Sequence, residues 1–425
     1  MLAAIILLPP LDIYQVQIPV PWGVLDPVRI TQSIIWIFFV GSLWTWALLG
    51  RRLKSAAPAL VIFAGFSILV VSRLPIRSSL FISVNFLLPF LGMYLLLQDD
   101  EVKRWLDDRL VPILLIPGSI AACVGIAMHF DPFLLDFIPY IPWRVGAGTA
   151  FGVVTRLGGL QIHPKLLGTF MLVFSLLSLG EFLSRKRKVY LVPLAVSWTA
   201  LFLSYSRSAL IIFGLFFAAA VLQLAKSRRR SGMAMIAVAV AVAALLSVPL
   251  THRMQDLLTS VSLSHRAQMY RWAVQNFDGA WGWLFGRNED VVTWLLWHNP
   301  PPDGLKVIDN IYLTVGLQYG ICGLVLLLAL LLPAVGRGPR HGAIRWALAA
   351  MILEGLTFDI LLWQNATVLI AVFTAWLWQT ELGNSTLLSC GKLSVDVEMI
   401  RAGARRGERD EERHEGETPL PSDPP

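Results

Sequence analysis

The sequence predicts an all-α polytopic membrane protein of about twelve transmembrane helices, with a large external loop that contains surface helices. Three observations predict it. Of the 425 residues 56% are hydrophobic and 15% are charged, whereas roughly a quarter of a soluble globular domain is charged. Apolar runs near the ~20 residues needed to cross ~30 Å of hydrocarbon recur along the chain. Between two of them, residues 251–308 form a long water-compatible segment with Arg253, Arg266, Arg271, Arg287, His252, His265, His298 and five tryptophans. A segment of that length is usually functional or disordered, and the tryptophans argue against disorder.

Residues 1–20 are apolar, broken by Pro9-Pro10 and without a basic start, so they read as an irregular first span rather than a cleavable signal. Spans follow at about 29–50, 56–73, 78–98, 110–129 and 164–184. The run 189–225 is nearly two spans long and folds back at Tyr205-Ser206-Arg207-Ser208, because an arginine at mid-bilayer is costly. Arg207 is thereby expected at a membrane surface. The remaining spans are expected at about 233–250, 309–333, 343–361 and 364–381. All should be helical, since a chain in lipid must satisfy its own backbone hydrogen bonds.

Basic residues set the orientation. Alternate connections hold seventeen of them, from Arg51, Arg52 and Lys54 through Arg185–Lys188 to Arg337, Arg340 and Arg345. These crowd into about forty residues, so the positive-inside rule places them in the cytoplasm. The loops 130–163 and 251–308, with Arg207, then face outward. Residues 1–381 form the membrane domain, and 382–425 read as a charged, disordered cytoplasmic tail. The formal charge of +7 belongs to these short connections and not to a nucleic-acid surface. Cys123 and Cys322 lie in apolar runs and Cys390 in the tail, which gives no disulfide framework and no thiolate metal site.

Four outward pieces could carry chemistry. They are Arg156-Leu157-Gly158-Gly159 with His163-Pro164-Lys165, the hairpin Ser204–Ser208, a surface helix at about 264–281, and Asp309-Asn310-Ile311-Tyr312. On the surface helix Arg266, Tyr270, Ala273 and Phe277 share a face. Each residue also has a plainer reading. Arg207 can be an anchor that snorkels to the headgroups, and Arg266 can pair with Asp256 or Asp278. Asp309 is a favoured residue type for capping the helix that follows. His163, His298 and Lys165 read as surface or headgroup contacts, and the loop tryptophans as interfacial residues. Glu354 and Asp359 are intramembrane carboxylates, either functional or hydrogen-bonded into the bundle.

These pieces resemble the O-antigen ligase and polymerase family of integral membrane glycosyltransferases that act on undecaprenyl-diphosphate-linked glycans. The resemblance rests on Ser204-Tyr205-Ser206-Arg207-Ser208, on Arg266 with Trp272, and on Asp309-Asn310-Ile311-Tyr312-Leu313 leading to Tyr319-Gly320-Ile321-Cys322-Gly323. Arg156, Gly158, Pro164 and Gly168 are similar to a further segment of the family. It covers roughly residues 150–335 and implies a GT-C-like bundle in the bacterial inner membrane. Where the ligases usually show His-Asn after the large loop, this chain has Asp309-Asn310, a form closer to the polymerases. His298-Asn299 lies eleven residues too early, and Lys165 replaces a common asparagine.

A lipid-diphosphate donor develops negative charge on its leaving oxygen, which preplaced cations stabilise. Guanidinium groups suit the task, because they donate bidentate hydrogen bonds and stay charged. The resemblance thus implies Arg207 and Arg266 as catalytic cations and Asp309 as the base for the attacking hydroxyl. Arg156, Lys165, Tyr205, Tyr270, Asn310 and Tyr312 are expected to bind substrate. Direct attack would invert the anomeric centre. No cofactor is expected, nor a metal, since the outer loops hold no Asp-x-Asp pair. The expected partners are a lipid-linked oligosaccharide donor, a glycan acceptor and membrane lipids, with a chain-length regulator left open. A polymerase is favoured over a ligase that passes the glycan to lipid A core or another final acceptor. A transporter or flippase of lipid-linked sugar would show repeated halves with interrupted spans, and the sequence shows no such repeat.

Overall fold

Apolar runs become helices here because a helix bonds every backbone group within its own segment. The computed structural model describes residues 18–20, 23–25, 27–48, 58–73, 82–130, 145–149, 152–156, 164–227, 261–277, 279–304, 306, 308–336, 342–359, 361, 363 and 365–379. Residues 1–17 of the span expected at 1–20, the whole of that expected at 233–250 and the tail from 382 lie outside these residues, while Ile18–Val20 is a strand. All described residues but the last two fall in one unit, 1–377.

The helices are α1 (Pro27–Leu48), α2 (Pro58–Arg73), α3 (Leu88–Leu96, entered through a π-helical turn at Ser83–Leu87) and α4 (Asp100–Phe130). After them come α5 (Pro164–Arg185), α6 (Leu191–Leu203) and α7 (Arg207–Ser227). The large loop contributes α8 (Val261–Gln275), α9 (Gly279–Phe285) and α10 (Glu289–His298). The series ends with α11 (Ile311–Gly336), α12 (Gly342–Glu354) and α13 (Asn365–Gln379). Among the described residues α4, α5 and α11 are long and apolar enough to cross a membrane, and six shorter apolar helices accompany them.

The structure departs from the sequence reading at four places. Two antiparallel hairpins, Ile18–Val20 with Gly23–Leu25 and Val145–Thr149 with Gly152–Arg156, interrupt an otherwise helical fold. The second holds Val153, Val154 and Thr155, β-branched residues that favour extended backbone. Helix α4 begins ten residues before the expected span, because Asp99 caps it: its Oδ1 accepts from the backbone N–H groups of Glu101 at 2.8 Å and Val102 at 3.1 Å. The single surface helix expected at 264–281 is two helices, broken near Gly279, whose φ of +61° suits glycine. The span expected at 343–361 stops being helical at Glu354 and unwinds through residues 355–359.

Helix α5 is buried along nearly its whole length. Close approach makes that possible: a Cβ at Gly180 would stand 2.5 Å from Ala343 Cα, and one at Gly118 would stand 2.8 Å from the Phe174 ring. Glycine at both points lets α12 and α4 press against α5.

Helix α11 is broken at Gly320, with φ 67° and ψ −167°. There the large loop fills the gap. A Cβ on Gly320 would lie 2.4 Å from Leu284 C, and a Cβ on Gly286, also at positive φ, would lie 2.4 Å from Gly320 N. The Arg287 N–H donates to Leu317 O at 2.6 Å, so a carbonyl beside the break is bonded again, as an interrupted apolar helix requires.

Candidate functional site: a cationic meeting of helix ends

Three helix N-termini and one unwound C-terminus converge. The turn between α6 and α7 runs through Ser204 and Ser206, both buried, with Tyr205 at a φ of +54°. Gly168, in the first turn of α5, faces it so closely that a Cβ would stand 2.4 Å from Ser206 Cβ. The start of α5 thus abuts the start of α7, where Arg207 is the first helical residue. Ser208 Oγ donates to Glu354 Oε1 at 2.6 Å, joining α7 to the end of α12.

The start of α11 is fastened by Asn310. Its Oδ1 accepts from the N–H groups of Tyr312 at 2.8 Å and Leu313 at 3.0 Å, and its Nδ2 donates to Leu356 O at 2.9 Å and to Tyr270 Oη. Asn310, not Asp309, therefore caps the helix. The capping role weighed for Asp309 falls to its neighbour, and the Asp309 carboxylate is left for other use. Lys165, 144 residues away in sequence, donates to Asp309 Oδ2 at 2.7 Å, with the Phe358 ring 5.5 Å from its ammonium. The Asp309 side chain remains 28% exposed.

Arg266, on α8, donates to Thr357 O at 3.3 Å, in the segment where α12 has unwound. Its Nε is buried without a hydrogen-bond partner among the described residues. Asp256 and Asp278, the partners weighed for it from sequence, lie outside those residues. Glu354 is fully buried and, besides Ser208, is faced by the charges of Lys165 and Arg266. The sequence marked Glu354 as an intramembrane carboxylate without placing it in the site. Its proximity to three separate helices is a tertiary fact that no local pattern announces.

Other expected residues are placed as follows. Tyr312 Oη donates to Ile352 O at 2.6 Å, so it ties α11 to α12. Tyr205 is half-buried in the turn. Arg156 ends the second hairpin, paired in register with Val145. His163 lies outside the described residues, and the exposed His298 stacks on Trp294 of its own helix with ring centres 4.6 Å apart. Arg207 is half-buried; the structure joins it to the cluster through its neighbour Ser208 and not by a direct contact to Arg266 or Asp309.

The large loop has its own core, in which Trp272, Met269, Ala273, Val292 and Leu295 pack on Ile308 and Leu317. Trp272 Nε1 donates to Asn299 O at 2.6 Å, and His265 Nδ1 lies 2.6 Å from Asp303 Oδ2. This core is what holds Arg266 and Tyr270 over the helix ends.

Lys165 pairs with Asp309, Lys165 and Arg266 face Glu354, and a third acid, the buried Asp359, accepts from Thr314 in the first turn of α11. Each of the three helix N-termini adds roughly half a positive charge. Helix N-termini and guanidinium groups are the elements with which proteins bind phosphates.

The apolar helices mark an integral membrane protein, in which three helix N-termini and the cationic side chains of Lys165 and Arg266 meet. Residues 192–328 match the family model described as O-antigen ligase, which bears out the resemblance to the O-antigen ligase and polymerase family. No curated protein matches the chain. The family implies lipid-linked glycan substrates and a place in polysaccharide biosynthesis. The matched stretch holds Arg207, Arg266 and Asp309; Lys165 and Glu354 reach the same cluster from outside it.

Proposed function

We propose that the protein is an inverting, metal-independent glycosyltransferase of the external face of the bacterial inner membrane. It transfers a polyprenyl-diphosphate-linked glycan to a sugar hydroxyl, and we favour polymerisation over ligation. The carrying observation is the meeting of Lys165, Arg266 and the start of α7 around two carboxylates. The Asp309-Asn310 form of the α11 start supports the polymerase reading.

In this reading the donor diphosphate lies against Arg207 and Arg266. The acceptor hydroxyl gives its proton to Asp309 as its oxygen bonds to the anomeric carbon. The bond from that carbon to the diphosphate oxygen breaks, and its electron pair leaves on the diphosphate, where guanidinium groups and helix dipoles stabilise it. Lys165 positions Asp309 before the reaction and is within reach of the leaving charge. Asn310, Tyr312 and the Leu356 and Thr357 carbonyls hold the parts in place.

Glycan profiles of cells carrying Arg207→Ala or Arg266→Ala test the reading. A polymerase defect leaves single-repeat glycans, a ligase defect leaves polymer on the carrier lipid, and a transport defect leaves units unexposed. Unchanged chain length and attachment in both variants would overturn it. Transfer by the purified protein in EDTA tests metal independence, and rescue of lost activity by magnesium or manganese would refute it.

A further inference from the structure

The large loop treats its tryptophans in two ways. Trp272 is 4% exposed and bonded through its indole N–H, whereas Trp281 is 75%, Trp294 56% and Trp297 63% exposed. Helix α9, Gly-Ala-Trp-Gly-Trp-Leu-Phe, buries none of its residues. On α10, Val291, Trp294 and Trp297 form one exposed stripe at helical spacing, and Val292 and Leu295 on the other side fill the loop core. A soluble surface seldom leaves so much contiguous apolar area uncovered.

The level of this surface in the bundle is fixed by two independent contacts. Helix α9 is seated at the Gly320 break, glycine against glycine. Its Phe285 ring lies 5.8 Å from the guanidinium of Arg73, the last residue of the apolar helix α2. Phe66 of α2 packs on Tyr319 with ring centres 6.3 Å apart, and a Cβ on Gly323 would meet Leu69 at 3.4 Å. A Cβ on Gly65 would meet Leu326 at 3.6 Å, so from Gly65 to Leu69 the contacts step back from Leu326 to Gly323. The two helices run in opposite senses, and the charged end of α2 stands level with the break in α11. From there α2 and the second part of α11, 16 residues each, run about 24 Å into the apolar layer. An arginine closing an apolar helix marks the headgroup level, the depth at which tryptophan is enriched.

We propose that α9 and α10 lie in the headgroup layer of the membrane, with Trp281, Trp294 and Trp297 among lipid. The occupant of the uncovered face is the bilayer that the spans already cross, whose surface α9 reaches where its Phe285 meets the Arg73 end of α2. The loop then belongs partly to the membrane and meets a lipid-borne molecule at the depth where headgroup and hydrocarbon join. Lys306, 3.9 Å from the Trp297 ring, supplies a cation beside the phosphates. The inference needs only the membrane-spanning fold and stands whether or not the protein transfers glycans.

The test is collision accessibility of nitroxide labels on the full chain in phospholipid nanodiscs. Cys123, Cys322 and Cys390 are first replaced by serine, and Trp281→Cys, Leu284→Cys and Trp294→Cys are labelled singly. Ile68→Cys, on the 70% exposed Ile68 of α2, serves as the hydrocarbon reference. We expect labels at 281, 284 and 294 to collide with oxygen at least threefold more than with a water-soluble nickel chelate, approaching the reference. Free access of the chelate to these labels would overturn the proposal. So would protection from both reagents, which would mean that protein or a second copy covers the face. Should Trp281→Cys misfold, Leu284→Cys reports on the same helix.

Discussion

The two ends of helix α5 handle charge in opposite ways. At its C-terminal end Arg185 is closed off: its Nε lies 2.6 Å from Glu181 Oε2, its guanidinium lies 3.4 Å from Asp108 Oδ1, and it donates to Asp107 O at 3.2 Å. A cation there also agrees with the negative end of the helix dipole. At the N-terminal end Lys165, with Arg207 and Arg266 close by, stands where the dipoles of three helices are already positive. Asp309 and Glu354 stand among these groups, and the buried Asp359 accepts from Thr314 of the neighbouring helix start. One end pairs its cation with the helix dipole, whereas at the other a lysine stands at a helix N-terminus, where the dipole disfavours it.

The sharpest way to break this comparison is to remove a cation from the open end. Arg207→Ala and Arg266→Ala should each lower transfer from a lipid-linked donor by about 10²–10³-fold, the scale of losing one preorganised donor to a developing oxyanion. Asp309→Asn should lower it by about 10²-fold at unchanged folding, measured as the initial rate in nanodiscs. Lys165→Met leaves Asp309 without its partner and should cost roughly tenfold in the same assay, with donor binding weakened.

Stability experiments sharpen the contrast further. Gly320→Ala places a Cβ against the backbone of Leu284 at a positive φ, so it should destabilise by about 2 kcal/mol, read as a lowered thermal midpoint in detergent. Arg185→Gln should cost about 1 kcal/mol or less at its partly exposed pairs and leave transfer unchanged. A transfer loss at Arg185 as large as that at Arg266 would erase the distinction between the two ends.

Much of the fold is legible in the chain. The reversal at Ser204–Ser208 follows from an arginine inside an apolar run too long for one span, and it lies where α6 gives way to α7. The helical surface carrying Arg266 and Tyr270 is likewise visible as a 3.6-residue pattern. What the chain hides is tertiary. Asp309 and Asn310 are both capping residue types, and only the direction of the Asn310 side chain assigns the cap. Lys165 and Asp309 meet across 144 residues, a separation beyond any local rule. Three glycines, 316, 320 and 323, punctuate α11 alike in sequence, and the docking of Gly286 singles out the middle one. The unwinding at 355–359 is only half legible: Glu354, Gly355 and Asp359 interrupt the apolar run, but nothing local says that carbonyls there are needed by Asn310 and Arg266.

The fastening of Asn310 has a mechanical consequence. To swing the large loop away from the bundle as a flap, the protein would have to part Asn310 from Tyr270, Arg266 from Thr357 and Trp272 from its packing on Leu317 in a single motion. The three contacts pin the segment to the start of α11 and to the unwound end of α12 together.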